Sequence, residues 1–571
     1  MYVNSKGMEE NTYDAIVIGS GISGGWAAKE LCEKGLKTLV LERGRMVEHV
    51  KDYITATKEP WEFSTRERVS PEEIKEHYPK QSRTGYTVRE SSKHWFVKDS
   101  EHPYQETKRF DWMRGYHVGG RSIMWGRHSY RFSDLDFEAN IRDGHGVDWP
   151  IRYAEIEPWY TYAEGFAGIH GMNEGLSQLP DGNFLPPMDF NCLEKHFREK
   201  VAENFGGRVV TMGRTANLTQ NHNGRVKCQY RNRCIRGCPY GGYFSSNAAT
   251  LPAAQATGNL TLRPDSIVTS IIYDKEQRKA VGVNVIDRET NEAMEFNAKV
   301  IFCCASAVAS TSILMNSKSD AFPDGIGASS GELGHNLMDH HFRTGANGEY
   351  DGFADQYYYG RKPTGFYIPR FRNVDKASER KDYVRGFGYQ GGGSRESWQS
   401  AVAEMGFGAS LKEQIVEPGP WRMGMTAFAE TLPYHENKMT LDYENTDKWG
   451  QPTVIFDAEF KENEMAMRPD MANSAAEMLE AAGFKNVQTY DAGSWPGLGI
   501  HEMGTARMGR DPKTSVLNKW NQVHDVPNIY VTDGACMTSA ACVNPSLTYM
   551  ALTARAADHA VNELKKMNLI Y

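Results

Sequence analysis

The segment from Tyr13 to Gly44 constrains the fold of this chain more than any other part. It opens with the apolar run AIVIG, which is typical of a buried parallel strand. Gly19, Gly21 and Gly24 then form a G-x-G-x-x-G pattern, followed by a helical pattern and a second apolar run that ends at Glu42. A strand, a glycine turn, a helix and a second strand in this order predict a dinucleotide-binding unit.

Each part of this unit has a physical task. Gly19 permits the tight turn, Gly21 lets the backbone approach a pyrophosphate, and Gly24 lets the helix pack against the strand. The helix N-terminus attracts phosphate, and the Glu42 carboxylate can accept hydrogen bonds from a ribose. A merely glycine-rich turn is the alternative, and the unit alone does not distinguish NAD from FAD. The predicted cofactor contacts here are Gly19, Ser20, Gly21, Ile22, Ser23, Gly24, Glu42 and Arg43.

The size and composition of the chain restrict what the remainder can be. With 571 residues it exceeds one ordinary core, so two or more domains are expected. The net charge of -8 and the lack of a long basic run argue against a nucleic-acid partner. No apolar stretch approaches the roughly 18 residues of a membrane span, and the polar N-terminus lacks an apolar signal core, which predicts a cytoplasmic location. Nine cysteines cannot all pair internally, which favours a reducing compartment.

Two later stretches return to the nucleotide-binding pattern. Residues 259–310 alternate like a meander of strands, and residues 528–571 give a strand and then a long helix. The intervening regions lack the pattern, so the sequence predicts a mixed α/β fold. It comprises a discontinuous Rossmann-like domain and an inserted, sheet-based substrate-binding domain. The predicted division is 10–150, 226–340 and 496–571 for the nucleotide-binding domain, and 151–225 and 341–495 for the substrate-binding domain.

Three further motifs resemble those of the glucose–methanol–choline family of FAD oxidoreductases. They are VGGRSIMWGR at 118–127, HEMGTARMGRDPKTSVLN at 501–518 and NIYVTDGACMTSAACVNPSLTYMALTARAAD at 528–558. With the N-terminal glycine motif, the resemblance covers nearly the whole chain. Within the family it is to sugar enzymes, namely pyranose 2-oxidase and the large subunits of bacterial glucose, gluconate, fructose and glucoside 3-dehydrogenases. The resemblance implies FAD as the cofactor and an alcohol as the substrate.

The catalytic pair of the family corresponds to His501 and Asn544 in these motifs. When an alcohol is oxidised, a hydride leaves its carbon for the flavin while its hydroxyl loses a proton. A neutral imidazole, with an ordinary pKa of about 6.5, can take that proton at physiological pH. The Asn544 amide can hold the same hydroxyl in the reactive orientation. His340 and His341 have no such motif behind them and are interpreted as structural.

The motif at 118–127 resembles the loop that passes over the isoalloxazine ring. The resemblance implies that Gly120, Ser122 and Trp125 line the flavin. Some pyranose oxidases attach FAD covalently through a histidine just before the tryptophan. Met124 stands at that position here, so noncovalent FAD is expected. The remaining cofactor contacts implied are Val268, Asp533, Gly534, Asn544 and Pro545.

Three cysteines cluster in the loop 228–242, where Cys228, Cys234 and Cys238 have the spacing C-x5-C-x3-C-P. The bacterial sugar dehydrogenases that the chain resembles carry a similar motif, which holds a [3Fe–4S] cluster. Three thiolates suit such a cluster because each iron needs one protein ligand. Structural zinc prefers four ligands in closer pairs. A disulfide with a spare thiol would need an oxidising compartment, and reduced structural cysteines are a further alternative.

The sequence therefore predicts an FAD-dependent dehydrogenase that oxidises a ring hydroxyl of a sugar or glycoside, with C3 of a glucoside as the preferred position. The cluster would pass electrons to a cytochrome or quinone-linked partner. Relatives of this kind often work with a small subunit that bears an export signal, which would place the enzyme in the periplasm. One alternative is a pyranose 2-oxidase-like enzyme that uses oxygen without a cluster. A lyase with a structural FAD is another.

Overall fold

The computed structural model describes residues 11–357, 360, 362–395, 407–416 and 418–566. Residues 10 and 567–571 of the predicted nucleotide-binding domain lie outside the described residues. So do residues 358–359, 361, 396–406 and 417 of the predicted substrate-binding domain.

The strands and α-helices follow one another along the chain with long loops between several of them. The strands are β1 (Thr12–Ile18), β2 (Thr38–Leu41), β3 (Gln105–Glu106), β4 (Thr211–Met212), β5 (Leu260–Arg263), β6 (Ser266–Asp274), β7 (Lys279–Asp287), β8 (Ala293–Cys303), β9 (His340–Tyr350), β10 (Phe366–Ile368), β11 (Phe387–Arg395), β12 (Trp421–Glu430), β13 (Lys438–Thr446), β14 (Pro452–Asp457), β15 (Lys485–Asp491) and β16 (Ile529–Val531). The helices are α1 (Ile22–Glu33), α2 (Pro71–His77), α3 (Asp134–Phe137), α4 (Ala139–Asp143), α5 (Tyr153–Ala167), α6 (Cys192–Asn204), α7 (Thr250–Ala256), α8 (Ala307–Asn316), α9 (Gly408–Val416), α10 (Glu462–Ala481) and α11 (Ser546–Lys565).

The first sheet contains the nucleotide-binding pattern. Its seven strands have the order β5-β2-β1-β8-β7-β6, and β16 pairs with β8 beyond the end of β7. β5, β2, β1, β8 and β16 are parallel, whereas β6, β7 and β8 form the predicted antiparallel meander. Small side chains of α1 and α11, such as Ala27, Ala28, Ala556 and Ala557, pack with the sheet in one buried cluster. This close packing fixes the start of α1 against the end of β1.

The second sheet is the predicted substrate sheet. It is antiparallel, with the order β15-β9-β12-β11-β10-β4. Phe197 of α6 and Met471 and Met478 of α10 pack on one of its faces. Because side chains alternate along a strand, Tyr389 of β11 enters this core while Gln390 points to the opposite face.

A third, smaller sheet joins distant parts of the chain. β13 and β14 form a hairpin, and β14 pairs in parallel with β3. β3 belongs to the predicted nucleotide-binding domain, whereas the hairpin belongs to the predicted substrate-binding domain. The predicted fold class, a Rossmann-like sheet with a separate antiparallel sheet, is confirmed. Within the described part of the chain, no helix has the length and apolar character that crossing a membrane requires.

Candidate active site

A cavity of about 580 Å³ is lined by residues of all three sheets. Gly24 and Pro545, two of the predicted cofactor contacts, do not line it; Gly24 packs behind the glycine turn and Pro545 caps helix α11. The other predicted catalytic and cofactor residues all lie in its wall: Gly19, Ser20, Gly21, Ile22, Ser23, Glu42, Arg43, Gly120, Ser122, Trp125, Val268, His501, Asp533, Gly534 and Asn544.

The glycine turn at one end of the cavity fits a dinucleotide. Gly19 has a φ of +94°, and a Cβ there would lie 2.5 Å from the carbonyl oxygen of Cys304. A Cβ on Gly24 would lie 1.9 Å from the carbonyl oxygen of Gly19, so α1 could not pack this closely. A Cβ on Gly21, in contrast, would meet nothing within 4 Å. The turn thus leaves open space at the N-terminus of α1, where phosphate is favoured.

The Glu42 carboxylate, just after β2, holds this turn in place. One of its oxygens accepts hydrogen bonds from the backbone N–H of Ser20 (3.1 Å) and from its hydroxyl (2.6 Å), and the other accepts from the N–H of Gly44 (2.9 Å). Burial raises the pKa of Glu42, and these hydrogen bonds oppose that shift. Since a carboxylate has about four acceptor positions, capacity remains for a ribose hydroxyl in the cavity.

The loop at 118–127 crosses the cavity close to the glycine turn. A Cβ on Gly120 would lie 3.4 Å from the Cα of Gly21, so the two loops nearly touch. The Ser122 hydroxyl donates to the Gly119 carbonyl (2.5 Å), and the Trp125 indole donates to the Phe244 carbonyl (2.9 Å). These bonds shape a rigid wall against which a flavin ring can lie. Direct contact between these residues and the flavin stays a prediction.

The predicted catalytic pair meets in the wall of the same cavity. Asn544 Nδ2 lies 3.4 Å from His501 Nε2, although the residues are 43 positions apart. Burial, followed by the neighbouring His340 and Arg121, lowers the pKa of His501 well below its ordinary value. The imidazole is therefore neutral at physiological pH and able to accept a proton.

Two patterns of a known protein family match most of this chain. The N-terminal pattern of the GMC oxidoreductase family matches residues 13–342, and the C-terminal pattern matches residues 433–553. This chain belongs to the glucose–methanol–choline oxidoreductase family. As a member of that family it is an FAD-dependent oxidoreductase that acts on CH–OH groups.

Several curated relatives of this GMC oxidoreductase align along nearly its full length. It is 30% identical to 2-methyl-1,2-propanediol dehydrogenase of Mycolicibacterium austroafricanum, over 96% of this chain and 94% of that protein. It is 26% identical to the fructose dehydrogenase large subunit of Gluconobacter japonicus, over 97% and 98% of the two chains. The crystal structure of pyridoxine 4-oxidase from Mesorbium loti has the same fold, with a TM-score of 0.57, 16% identity and coverage of 96% and 98%.

Two side chains that hydrogen bond to the predicted catalytic pair of this GMC oxidoreductase were not predicted. His340 Nδ1 lies 3.0 Å from His501 Nδ1, a contact that the interpretation of His340 as a structural residue did not include. Gln390 Nε2 donates to Asn544 Oδ1 at 2.7 Å and thereby directs Nδ2 of that amide toward His501. The sequence signal for His340 was its place in LMDHHF, between an aspartate and a second histidine. Gln390 had no such signal.

The acidic neighbour of His340, Asp339, holds the loop that carries the predicted catalytic histidine, His501. Its two carboxylate oxygens accept the backbone N–H groups of Gly499 (2.8 Å) and His501 (3.0 Å). Burial raises the pKa of Asp339 to about 7. Asp339, His340 and His501 present nitrogen and oxygen atoms within 4.8 Å of one another, and these hydrogen bonds account for that proximity.

The cysteine loop of this GMC enzyme borders the same cavity. The sulfur of Cys228 accepts the N–H of Tyr230 (3.4 Å), and that of Cys238 accepts the N–H of Gly242 (3.3 Å). Cys234 begins a single 3₁₀ turn and lies in the cavity wall. No disulfide is formed among the described cysteines, and the three sulfur atoms of the loop do not all lie within 4.8 Å of one another.

Proposed function

We propose that this GMC oxidoreductase is a dehydrogenase for a ring hydroxyl of a sugar or glycoside. The observation that carries the proposal is the meeting of His501 Nε2 and Asn544 Nδ2 in the wall of one cavity with the glycine turn. A base and a hydrogen-bond donor at this spacing can both engage a single hydroxyl group.

When bound, FAD supplies the hydride acceptor of this reaction. His501 Nε2 takes the hydroxyl proton as the carbon gives up its hydride, so an alcohol becomes a carbonyl compound. Asn544 donates from Nδ2 to the hydroxyl oxygen. The hydrogen bond from Gln390 to Asn544 Oδ1 prevents a 180° flip of that amide. The residues placed to hold noncovalent FAD are those of the glycine turn and its surroundings, namely Gly19, Ser20, Gly21, Glu42, Gly120, Trp125 and Asp533.

The cavity wall and the relatives both favour a polyhydroxylated substrate. Phe342 and Phe428 stack on each other, with ring centroids 5.0 Å apart, and line the cavity together with His128 and Gln390. Aromatic rings beside a few polar groups suit a sugar, which has apolar C–H faces and hydroxyl edges. The relatives named above act on a diol and on fructose. C3 of a glucoside stays our preferred position of attack.

Anaerobic mixing with a panel of sugars and glycosides tests this proposal. We expect at least one of them to bleach the visible flavin spectrum, because FAD takes the hydride and no external acceptor is present to reoxidise it. An artificial electron acceptor should then reoxidise the flavin faster than oxygen does. Rapid oxygen consumption would instead favour the pyranose 2-oxidase-like alternative. A flavin that stays oxidised with every sugar would favour the lyase.

We also propose that the cysteine loop holds a [3Fe–4S] cluster that passes electrons to a cytochrome or quinone-linked partner. Backbone N–H groups already point at two of the sulfurs, as they do around thiolate-bound iron. Cys234 shares its cavity with His501, which suits electron transfer from a flavin to the loop. A small subunit, as in the sugar dehydrogenases that the sequence resembles, would complete such an enzyme.

Iron analysis and EPR on anaerobically purified protein test the cluster. We expect about three irons per chain, one for each thiolate ligand. Cys234→Ser should remove the EPR signal and slow turnover with external acceptors, while anaerobic flavin reduction persists. Cys192→Ser, a change at a cysteine of α6, is the matched control and should alter neither. Less than one iron per chain in the unmodified protein would leave the three cysteines structural.

A further inference from the structure

We propose that His340 is a positioning residue that holds His501 in the tautomer whose Nε2 can accept a proton. The inference rests on the proposed role of His501 as the catalytic base. It concerns a histidine that does not line the cavity and would act only through its neighbour.

The tautomer of His340 follows from its hydrogen bond to the backbone. His340 Nε2 lies 2.8 Å from the carbonyl oxygen of Ala541, an atom that can only accept. Nε2 of His340 therefore carries a hydrogen. Burial lowers the pKa of His340 to about 4, so the ring is neutral at physiological pH and has a single N–H. Its Nδ1 is consequently an acceptor.

The tautomer of His501 follows in turn. His340 Nδ1 and His501 Nδ1 lie 3.0 Å apart, and their rings are nearly perpendicular, at 88°. Because His340 Nδ1 accepts, His501 Nδ1 must donate. The remaining nitrogen of His501, Nε2, then bears the lone pair, and it is the atom that faces Asn544. In the opposite tautomer Nε2 would carry a hydrogen and could not act as a base.

The hydrogen bonds from Ala541 through His340 to His501 form a relay, and the backbone fixes the position of each residue in it. His340 is the first residue of β9, where it pairs with Glu430 of β12. Ala541 has a φ of +56°, which is unusual for a residue with a Cβ and directs its carbonyl at His340. The Asp339 carboxylate accepts a hydrogen bond from the backbone N–H of His501. The relay is therefore built by three separate segments of the chain.

Loss of His340 should have two effects on the base. The wrong tautomer would become populated, and the imidazolium formed during the reaction would lose the acceptor for its Nδ1 hydrogen. The second effect lowers the pKa of His501 further. The other ionisable groups around His501, which stay constant in such a variant, are Asp339, Arg121, Glu502 and His128.

His340→Phe and His340→Asn in the FAD-loaded enzyme test the relay. Phenylalanine fills the space without an acceptor, so we expect the anaerobic rate of flavin reduction to fall about 10- to 100-fold. The acid limb of its pH profile should move to lower pH. Asparagine offers Oδ1 near the position of Nδ1 and should restore most of the rate. His341→Phe is the matched control, because that equally buried ring packs on Phe460 instead.

Two further readouts separate the possible outcomes. If His340→Phe binds too little FAD for a rate measurement, ¹⁵N-histidine NMR of the unmodified protein tests the tautomer of His501 directly. We expect a protonated Nδ1, and the signal is assigned by its disappearance in His501→Ala. A protonated Nε2 would overturn the inference. An unchanged rate and pH profile in His340→Phe would overturn it too. If His501→Ala is also as active as the unmodified enzyme, the proposed function falls as well.

Discussion

His501→Ala should lower the anaerobic rate of flavin reduction by about 10²–10⁴-fold while FAD stays bound. The substitution removes the nitrogen that takes the hydroxyl proton and leaves the glycine turn and the Glu42 carboxylate intact. In the unmodified enzyme the rate should fall as the pH drops through the pKa of His501, which burial places well below 6.5. The variant should lack that limb of the profile, because it has no base left to protonate.

The control for this experiment is a histidine outside the cavity. His335 hydrogen bonds to the carbonyl of His435, and His335→Ala should leave the rate and the pH profile unchanged. Stopped-flow reduction with a single sugar, followed by the bleaching of the flavin, gives both quantities. A His501→Ala protein purified without FAD would contradict the assigned role, because a base is not needed to hold the cofactor.

Gly21→Val should reduce the affinity for FAD by about 10- to 100-fold or more. Its Cβ would meet no protein atom, and its φ of -67° suits any residue, so the empty protein should melt within a few degrees of the unmodified one. The added methyl groups would instead occupy the space that the pyrophosphate needs at the start of α1. The effect therefore falls on binding and not on folding.

Flavin content measures this loss. After acid precipitation the unmodified protein should release its FAD into the supernatant, because Met124 offers no imidazole for a covalent bond. Gly206→Val is the matched control: its Cβ also meets nothing within 4 Å, but it lies on the surface outside the cavity. Equal flavin content in Gly21→Val and Gly206→Val would show that the dinucleotide does not approach this turn.

Local sequence patterns were sufficient where the structure is local. The turn at Gly19, the helix after it and the strand that ends before Glu42 form a continuous unit, so their periodicity and glycine spacing predicted them. The fold class and the family were also predictable, because long specific motifs carry them. His501 and Asn544 came from those motifs, and the structure brings them together.

Residues that act through distant pairing could not be predicted. His340 reaches His501, 161 positions away in the chain, because Met338, just before β9, forms an antiparallel bridge with Met503. Gln390 lies in a glycine-rich strand and faces the cavity through the alternation of a sheet whose register the sequence did not reveal. The pairing of β3 with β14 is too short to leave any periodic signal.

The bond from Gln390 to Asn544 has an implication for protein engineering. A chimera that exchanges the substrate sheet for that of a relative would also exchange the hydrogen bond that orients the Asn544 amide, the proposed substrate-holding group. We expect such a chimera to have a changed substrate selectivity and also a lower turnover rate. The rate should be retained only if the incoming strand has an amide side chain at the position that pairs with Tyr367. Evolution would face the same coupling, so drift toward another alcohol is expected to spare position 390 and to proceed through the neighbouring aromatic side chains.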